Sequence, residues 1–336
     1  MLESLTLPLA DDFHLHVRQG AMLRDVVPLI RQGGVGRCLV MPNTVPPITS
    51  VEQALAYRDE IQSVDPDLDV LTTLYLCPEL TRDVIMRAGD AGITGVKLYP
   101  RGVTTHSDLG VADVGAYDEV FAAMSEAGLV LEIHGEVQSD ADRDICVMNA
   151  EPLFLPVVER LHRHFPALRI VLEHVTTAEA VAFVERAGER IAATITVHHL
   201  DLIVDDWAGQ NHNFCKPVAK YPHDRAALRA AVSSGSPKFF LGSDSAPHPR
   251  DAKECAVGCA GVFTSPLMLP YLADCFERIG CLEKLAAFVS ENGRRFYDVL
   301  ESRDCVTLER RPCDVPKAYG SVVPYRAGET LAWSMV

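Results

Sequence analysis

The sequence of 336 residues is poor in basic side chains: 31 Lys and Arg stand against 46 Asp and Glu, giving a formal net charge of −15. Nucleic acids and anionic membranes bind basic surfaces, so this balance argues against both as partners. An anionic small molecule is still compatible with the sequence. The global field is screened beyond about 8 Å at physiological salt, so a local cluster of metal and arginine can dominate one pocket.

Long apolar runs are also absent. No stretch reaches 18 apolar residues, so no transmembrane helix is predicted, and no basic segment followed by an apolar block indicates a signal peptide. The ten cysteines, from Cys38 to Cys313, form no CxxC pair. Cys255 and Cys259 are the nearest spaced pair, and the lack of a matching second pair argues against a zinc knuckle. We therefore expect reduced thiols in a cytoplasmic protein.

The sequence does contain many short apolar runs. With 48% hydrophobic and 23% charged residues, the chain has material for a large buried core. Eight β-rich runs alternate with helical segments, and they end near His16, Met41, Leu76, Leu98, His134, His174, Val197 and Asp244. Eight strands alternating with helices predict a parallel sheet closed into a TIM (β/α)8 barrel, an α/β fold. We expect a single domain over residues 1–336, with a short C-terminal extension at about 304–336.

The first predicted strand takes in the alternating run from Leu5 to Leu9 and ends at His16. Helical segments are predicted over 50–61, 116–127, 151–164, 177–187, 224–232, 266–274 and 282–299. Thr81 and Thr177 stand ahead of acidic residues, as capping residues do at the start of a helix. The residues after 304 are expected to form an extended tail.

Residues of metal-binding type stand at five of the eight predicted strand ends. His14 and His16 are separated by one residue, so in an extended strand both imidazoles point to the same face. Active sites of TIM barrels lie at the C-terminal ends of the strands, and imidazole and carboxylate are common metal ligands. Each of these residues alone could be an ordinary polar side chain with no bound metal. Together, at one rim of the barrel, they predict a metal centre. The set comprises His14, His16, Lys97, His134, His174 and Asp244.

Five stretches resemble the amidohydrolase superfamily and, within it, the single-function class II dihydroorotases. They are Asp12-Phe13-His14-Leu15-His16-Val17-Arg18, Met41-Pro42-Asn43-Thr44, Lys97-Leu98-Tyr99-Pro100, Gly242-Ser243-Asp244-Ser245-Ala246-Pro247-His248 and Val323-Pro324-Tyr325-Arg326-Ala327-Gly328-Glu329-Thr330. They span essentially the whole chain. The stretch 213–217 departs from the family pattern at Lys216, where leucine is expected in bacterial relatives. Because the family uses backbone atoms there, the change leaves the resemblance intact.

The resemblance implies an activity and a cofactor. Members of this family interconvert N-carbamoyl-L-aspartate and L-dihydroorotate, the third step of de novo pyrimidine synthesis, with two zinc ions per chain. An ammonium group cannot bind a cation, so Lys97 takes part as a carbamate formed with carbon dioxide. A hydroxide bridging the zinc ions is the implied nucleophile, with Asp244 as general base and then general acid. By similarity, one zinc is bound by His14, His16, Lys97 and Asp244, and the other by Lys97, His134 and His174.

The substrate carries a carboxylate, which requires hydrogen-bond donors. Arg18 follows His16 by two residues, so its planar guanidinium is expected on the same rim, where it suits bidentate carboxylate binding. The segment 102–110 is small, polar and bounded by glycines, which is typical of a mobile lid, although an ordinary surface loop is the alternative. The family implies substrate contacts from His16, Arg18, Asn43, Thr104, Thr105, His134, Lys216, His248 and Ala260.

Other ionisable residues lie near these positions. His198, His199 and His212 are assigned no catalytic role and are expected behind the ligands or on the surface. Glu132 and Glu173 shortly precede predicted histidine ligands, so we expect them to orient imidazole rings.

Two other functions remain open. Another cyclic amidohydrolase, such as a hydantoinase or an allantoinase, has a related site, but Arg18 and Asn43 favour a ring that bears a carboxylate. A non-catalytic assembly protein on the same fold is the second alternative, and the presence of all six ligand residues argues against it. The family resemblance also implies a homodimer.

Overall fold

The computed structural model describes residues 2–105, 107, 109–301 and 304–336. Its strands, in chain order, are β1 (Ser4–Pro8), β2 (Ala10–Leu15), β3 (Val35–Val40), β4 (Asp69–Tyr75), β5 (Gly95–Leu98), β6 (Val130–Ile133), β7 (Arg169–Leu172), β8 (Ile191–Ile195), β9 (Phe239–Leu241), β10 (Cys305–Glu309), β11 (Cys313–Asp314), β12 (Thr330–Leu331) and β13 (Ser334–Met335).

The helices follow the strands in alternation through most of the chain. They are α1 (Gly20–Gln32), α2 (Val51–Val64), α3 (Arg82–Asp90), α4 (Asp118–Ala127), α5 (Leu155–His164), α6 (Ala178–Arg186), α7 (Val197–Asp201), α8 (Val204–Trp207), α9 (Pro222–Ser234), α10 (Arg250–Lys253), α11 (Met268–Arg278) and α12 (Asn292–Tyr297). Thr81 and Thr177 cap α3 and α6 by accepting hydrogen bonds from Val84 N and Ala180 N, which confirms both predicted helix starts. Within the described residues, no helix is long and apolar enough to cross a membrane.

The strands β2 to β9 form one parallel sheet in sequence order. The sheet closes on itself where its first and last strands meet, through a parallel bridge between Leu15 and Ser245. Asp244 N donates to His14 O at 2.8 Å, and His16 N donates to Ser245 O at 3.0 Å. The described residues therefore form the eight-stranded TIM barrel that the alternating pattern predicts, and the predicted fold class is confirmed.

Aromatic and aliphatic side chains fill the barrel interior. Phe13 of β2 packs edge-on against Phe240 of β9, with ring centroids 5.6 Å apart, and stacks on Tyr297 of α12 at 4.5 Å. Helix α12 approaches the strands closely because residue 293 is glycine: a Cβ there would lie 2.3 Å from the Phe13 ring. The barrel interior is thus a packed core.

The N-terminal run does not belong to the barrel as predicted. Ser4–Pro8 forms the separate strand β1, which pairs antiparallel with β10 from the C-terminal tail. The chain changes sheets at Leu9, whose N–H donates to Asp304 O at 2.9 Å. The alternation of Leu5 and Leu7 arises because only one face of this small sheet is covered, whereas β2 is buried along its whole length.

The predicted helices also differ from the observed ones at two places. Helix α1 was not predicted, because Gln19 provides no side-chain cap and Pro28 lies inside the helix. The segment predicted as one helix over 282–299 divides into a 3₁₀ turn, a π-helical turn at Ala287–Glu291 and α12. The tail contains the predicted extended segments as β10 to β13, and it buries Trp333 completely.

A buried ion cluster joins β2 to α12. Arg294 donates through Nε to Asp11 Oδ2 and through Nη2 to Leu9 O at 3.1 Å, and the Asp11 side chain is 1% exposed. Arg37 of β3 lies 3.5 Å from the other Asp11 oxygen. Because these charges have little water around them, removal of Arg294 leaves the buried Asp11 carboxylate with only the longer contact to Arg37.

We therefore expect Arg294→Met to lower the free energy of unfolding by about 3–5 kcal/mol, the typical cost of breaking a buried pair. The matched control is Arg82→Met, since Arg82 forms an ion pair with Glu126 at which both side chains are about half exposed. This control is expected to cost at most about 1 kcal/mol. Urea-unfolding midpoints of both variants measure the difference, and equal shifts would contradict the proposed importance of the buried cluster.

Candidate active site

A single cavity at the C-terminal ends of the barrel strands brings most of the predicted site residues together. Lys97 is fully buried beneath it, and His248 contacts Arg18 at its edge. Tyr99, Ala246 and Gly261 also line the cavity, although the sequence did not single them out. The predicted residues that line it are His14, His16, Arg18, Asn43, Thr104, Thr105, His134, His174, Lys216, Asp244 and Ala260.

One group of possible metal ligands is contributed by the two strands that close the barrel. Ligand atoms of His14, His16 and Asp244 all lie within 4.8 Å of one another. Asp244 Oδ1 is 3.4 Å from His14 Nε2 and 3.0 Å from His16 Nε2. Burial alone would raise the pKa of Asp244, but contacts with both histidines hold it well below its usual value. Burial lowers the pKa of His16 to about 4. The group therefore offers a carboxylate and an uncharged imidazole.

The second group lies beside the first. The His174 ring centroid is 4.9 Å from that of His14 and 4.8 Å from that of His134. Burial lowers the pKa of both His134 and His174, so both are neutral imidazoles at neutral pH. Neutral imidazole is the form that binds a metal.

Lys97 occupies an unusual environment between these groups. Its side chain is fully buried, and its Nζ has no hydrogen-bond partner among the described residues. Burial lowers the pKa of Lys97 to about 8, so an appreciable fraction of the amine is uncharged near neutral pH. Uncharged amine is the form that reacts with carbon dioxide. A buried nitrogen without a partner, surrounded by imidazole and carboxylate donors, fits the carbamate-bridged metal pair that the family resemblance implies.

Carboxylates behind the histidines orient their rings. Glu173 Oε2 lies 2.9 Å from His14 Nδ1, in line with the predicted role of Glu173. Thr194 Oγ1 donates to the same glutamate oxygen and accepts from His174 N at 2.7 Å. Glu132 does not take its predicted place beside an imidazole. Its described hydrogen-bonding partner is the Tyr297 hydroxyl in the barrel interior, because its strand position points inward below the ligands.

The residue that supports His134 was not predicted. Glu136 Oε2 lies 2.9 Å from His134 Nε2, and Lys220 Nζ donates to Glu136 Oε1 at 3.0 Å. Burial alone would raise the pKa of Glu136, but Lys220 and His134 lower it to about 2. This bond leaves Nδ1 as the other His134 nitrogen able to bind a metal. The only sequence signal was the carboxylate two residues after the histidine.

The backbone around the cavity is constrained. Arg18, His174 and Asp244 have positive φ angles of 62°, 41° and 46°, a region that non-glycine residues rarely adopt and that clusters at functional sites. Asp12 supports the Asp244 turn: Ser243 donates to it through N at 2.8 Å and through Oγ at 2.5 Å. Asp12 therefore connects the two strands that carry the first group of ligands.

Hydrogen-bond donors also line the wall of the cavity. Arg18 Nε donates to Pro247 O at 3.0 Å, and its Nη2 lies 2.9 Å from His248 Nε2. Burial lowers the pKa of His248 to about 3, so this imidazole is neutral and can accept from Arg18. Asn43 Nδ2 donates to Thr105 O at 3.2 Å. These contacts hold a guanidinium at the cavity wall beside the candidate metal ligands.

The loop that carries Ala260 is held by an internal cation. Lys253 Nζ donates to the carbonyl oxygens of Phe214 at 3.1 Å, of Cys259 at 3.2 Å and of Gly261. Burial lowers the pKa of Lys253 to about 8. A lysine with three carbonyl acceptors fixes both backbone segments that border this part of the cavity. This role of Lys253 was not predicted from the sequence.

The side chain of Lys216 also has a contact that the sequence did not predict. Its Nζ donates to Val103 O, in the predicted lid, at 3.0 Å. Lysine at this position therefore connects the lid segment to the opposite loop, which leucine could not do through a hydrogen bond. Within the predicted lid, His106 and Asp108 lie outside the described residues.

The three histidines to which the sequence assigned no catalytic role divide into two kinds. His212 is partly exposed and its Nε2 lies 2.8 Å from Glu254 Oε1, so it is a surface residue. His198 and His199 are both fully buried at the start of α7. They are not members of either ligand group described above.

Comparisons with known proteins agree with this geometry. The chain matches the family model described as Amidohydrolase over residues 68–199. It is 47% identical to a probable dihydroorotase of Schizosaccharomyces pombe, with 98% of each chain covered. The crystal structure of dihydroorotase from Saccharomyces cerevisiae in complex with 5-fluoroorotic acid is similar, with a TM-score of 0.96, 43% identity, and 100% and 99% of the two chains covered.

A more distant structure shares the fold alone. L-hydantoinase from Arthrobacter aurescens has a TM-score of 0.85 at 17% identity, covering 98% of this chain and 83% of that one. The full-length identity to dihydroorotases is therefore far higher than the identity to this hydantoinase. The chain belongs to the dihydroorotase family, whose members are cyclic amide hydrolases of the amidohydrolase superfamily.

Proposed function

We propose that this protein interconverts N-carbamoyl-L-aspartate and L-dihydroorotate with two zinc ions and a carbamylated Lys97. The observation that carries the proposal is the convergence, in one cavity, of His14, His16, His134, His174 and Asp244 above the buried Lys97 nitrogen. The guanidinium of Arg18 on the cavity wall supplies what a substrate carboxylate requires.

The ligands divide between the two ions by the group to which they belong. His14, His16 and Asp244 would bind one zinc, His134 and His174 the other, and the Lys97 carbamate would offer one oxygen to each. When bound, the zinc ions supply a hydroxide at neutral pH and polarise the amide carbonyl. All of these protein donors are nitrogen or oxygen atoms, which zinc accepts.

Asp244 moves the proton in the proposed reaction. Its carboxylate is ionised, because contacts with His14 and His16 hold its pKa low. During ring opening it accepts the proton of the attacking water and passes it to the departing ring nitrogen. Cyclisation uses the same carboxylate in reverse: it takes the proton from the carbamoyl nitrogen and returns it as water leaves.

The remaining residues bind the substrate and exclude water. Arg18 would pair with the substrate carboxylate, assisted by Asn43 and His248, while backbone atoms near Ala260 contact the ring. Thr104 and Thr105 line the cavity from the lid side. Lys216 holds that segment through Val103 O, which keeps bulk water away from the reacting carbonyl.

The two alternatives are weaker. Hydantoin and allantoin lack the ring carboxylate, so a hydantoinase or allantoinase has no use for the Arg18–His248 pair. A non-catalytic assembly protein has no use for a full set of ligand residues or for the buried supports of His14 and His134. The homodimer implied by the family and the cytoplasmic location expected from the cysteines stay predictions.

The Lys97→Ala variant tests the metal bridge. We expect dihydroorotate turnover to fall by more than about 100-fold, beyond the cost of losing an outer-sphere partner, and zinc per chain to fall below that of the parent protein. Short carboxylic acids should restore part of the activity by replacing the carbamate.

The control is Lys317→Ala, at an exposed position, which should retain parental zinc and turnover. Unchanged activity of the Lys97→Ala variant would refute the bridging role. Less than one zinc per parent chain by elemental analysis would favour the non-catalytic assembly protein.

The Arg18→Met variant tests the substrate. We expect a loss of about 2–5 kcal/mol for dihydroorotate, since a buried carboxylate would lose its partner, seen as a roughly 30-fold or larger fall in kcat/KM. Turnover of hydantoin, which has no carboxylate, should change little. Arg24→Met on the exposed face of α1 is the control. A parent protein that prefers hydantoin to dihydroorotate would contradict the proposed substrate.

The Glu136→Gln variant tests the unpredicted support of His134. The amide keeps the shape of the side chain but removes the charge shared by His134 and Lys220. We expect a loss of about 10–100-fold in zinc affinity or activity, measured by competition with a chelator and by steady-state turnover. Glu283→Gln, on the surface, is the control. Parental zinc affinity and turnover in the Glu136 variant would show that this carboxylate is dispensable.

A further inference from the structure

A second cluster of metal-ligating side chains lies outside the residues used above. His198 and His199 at the start of α7 and Cys215 in the loop between α8 and α9 are all fully buried. Their nitrogen and sulfur atoms lie within 4.8 Å of one another. None of the three belongs to the ligand set implied for the two zinc ions, and the dihydroorotase reaction as derived gives them no task.

His198 is the unexplained member of this cluster. Its ring is fully buried, yet neither Nδ1 nor Nε2 has a hydrogen-bond partner among the described residues. Its neighbour His199 lies with its ring centroid 4.5 Å away. A buried imidazole with two unpartnered nitrogens costs free energy unless another group satisfies it. A metal ion coordinated by one nitrogen would supply that group.

We propose that His198, His199 and Cys215 form a third metal site, which binds a thiophilic divalent transition metal, zinc above all. The distance from Cys215 Sγ to His199 Nε2 is 3.5 Å. Zinc–nitrogen bonds of about 2.0 Å and zinc–sulfur bonds of about 2.3 Å at a tetrahedral angle also place these two ligands about 3.5 Å apart. The spacing of the two atoms is therefore already that of zinc ligands.

A fourth donor is available on the backbone. Pro217 O accepts hydrogen bonds from His199 Nε2 at 3.0 Å and from Cys215 Sγ at 3.1 Å, so it faces the same space. Two imidazoles, one thiolate and one carbonyl oxygen make four ligands, the number that zinc takes in closed protein sites. By contrast, the residues proposed to bind the two catalytic zinc ions include no cysteine.

The protonation states of the three side chains allow a metal ion to bind with the loss of a single proton. Burial lowers the pKa of His199 to about 4 and holds the pKa of His198 well below its usual value, so both rings are neutral. His199 Nε2 binds with its lone pair when its proton resides on Nδ1, which then donates to Thr196 Oγ1, 2.9 Å away. Burial raises the pKa of the Cys215 thiol, so metal binding displaces its proton. One divalent ion enters and one proton leaves, as thiol becomes thiolate.

The site would act on the cavity through the backbone. Cys215 stands between Phe214, whose carbonyl oxygen accepts from Lys253 Nζ and from Gly261 N, and Lys216, which holds Val103 of the lid segment. A metal bound to Cys215 therefore anchors the loop from which both contacts originate. This role is structural and does not require a contact with substrate.

Cobalt substitution tests the proposal, because only this site contains sulfur. The full-length protein is stripped of metal with a chelator and reloaded with Co²⁺ under reducing, oxygen-free conditions. We expect three cobalt ions per chain and a sulfur-to-cobalt charge-transfer band in the near ultraviolet. Cys215→Ser should abolish the band and bind one ion fewer. Its hydroxyl can still donate to Pro217 O, so the loop keeps that hydrogen bond.

Cys38→Ser is the matched control, since Cys38 is an equally buried thiol in β3, and it should retain the band and the third ion. His198→Gln should lose the third ion as well. Absence of the band in the parent protein at saturating Co²⁺, or its persistence in Cys215→Ser, would overturn the proposal. Dihydroorotate turnover, measured in parallel, reports separately on the catalytic pair, so failure of one proposal is distinguishable from failure of the other.

Discussion

The candidate site depends on the closure of the barrel between its first and last strands. Backbone hydrogen bonds from Asp244 N to His14 O and from His16 N to Ser245 O join segments that lie at opposite ends of the barrel sequence. The same closure brings two imidazoles and a carboxylate into one group. Asp12 strengthens it by accepting two hydrogen bonds from Ser243. Without this seam, the ligands would belong to separate edges of an open sheet.

Burial then sets the chemical state of each ligand. Water is excluded from the barrel mouth, so the charged forms of His16, His134 and Lys97 are disfavoured, and their pKa values fall. Asp244 stays ionised only because histidines contact it directly. Together with His14, these groups form a set of imidazole nitrogens and one carboxylate around a lysine that loses its proton more easily than usual. This is a good ligand set for a divalent cation and a costly arrangement in its absence.

The supports of the ligands are as buried as the ligands themselves. Glu136 shares its charge between His134 and Lys220, while Glu173 contacts His14 and accepts from Thr194. Such buried pairs contribute orientation, since each partner can be satisfied in one geometry. Positive φ angles at Arg18, His174 and Asp244 show that the backbone accepts strain to aim these side chains.

The amino-acid sequence alone determined the strand order, the barrel and the set of candidate ligand residues, because period and strand-end position are local properties. It did not reveal Glu136 with Lys220, which are 84 residues apart, or the pairing of β1 with the tail. Nor did it group His198 and His199 with Cys215, or separate Glu132 from the imidazoles. Those outcomes depend on which distant side chains share a buried space, and only the packed tertiary structure decides that.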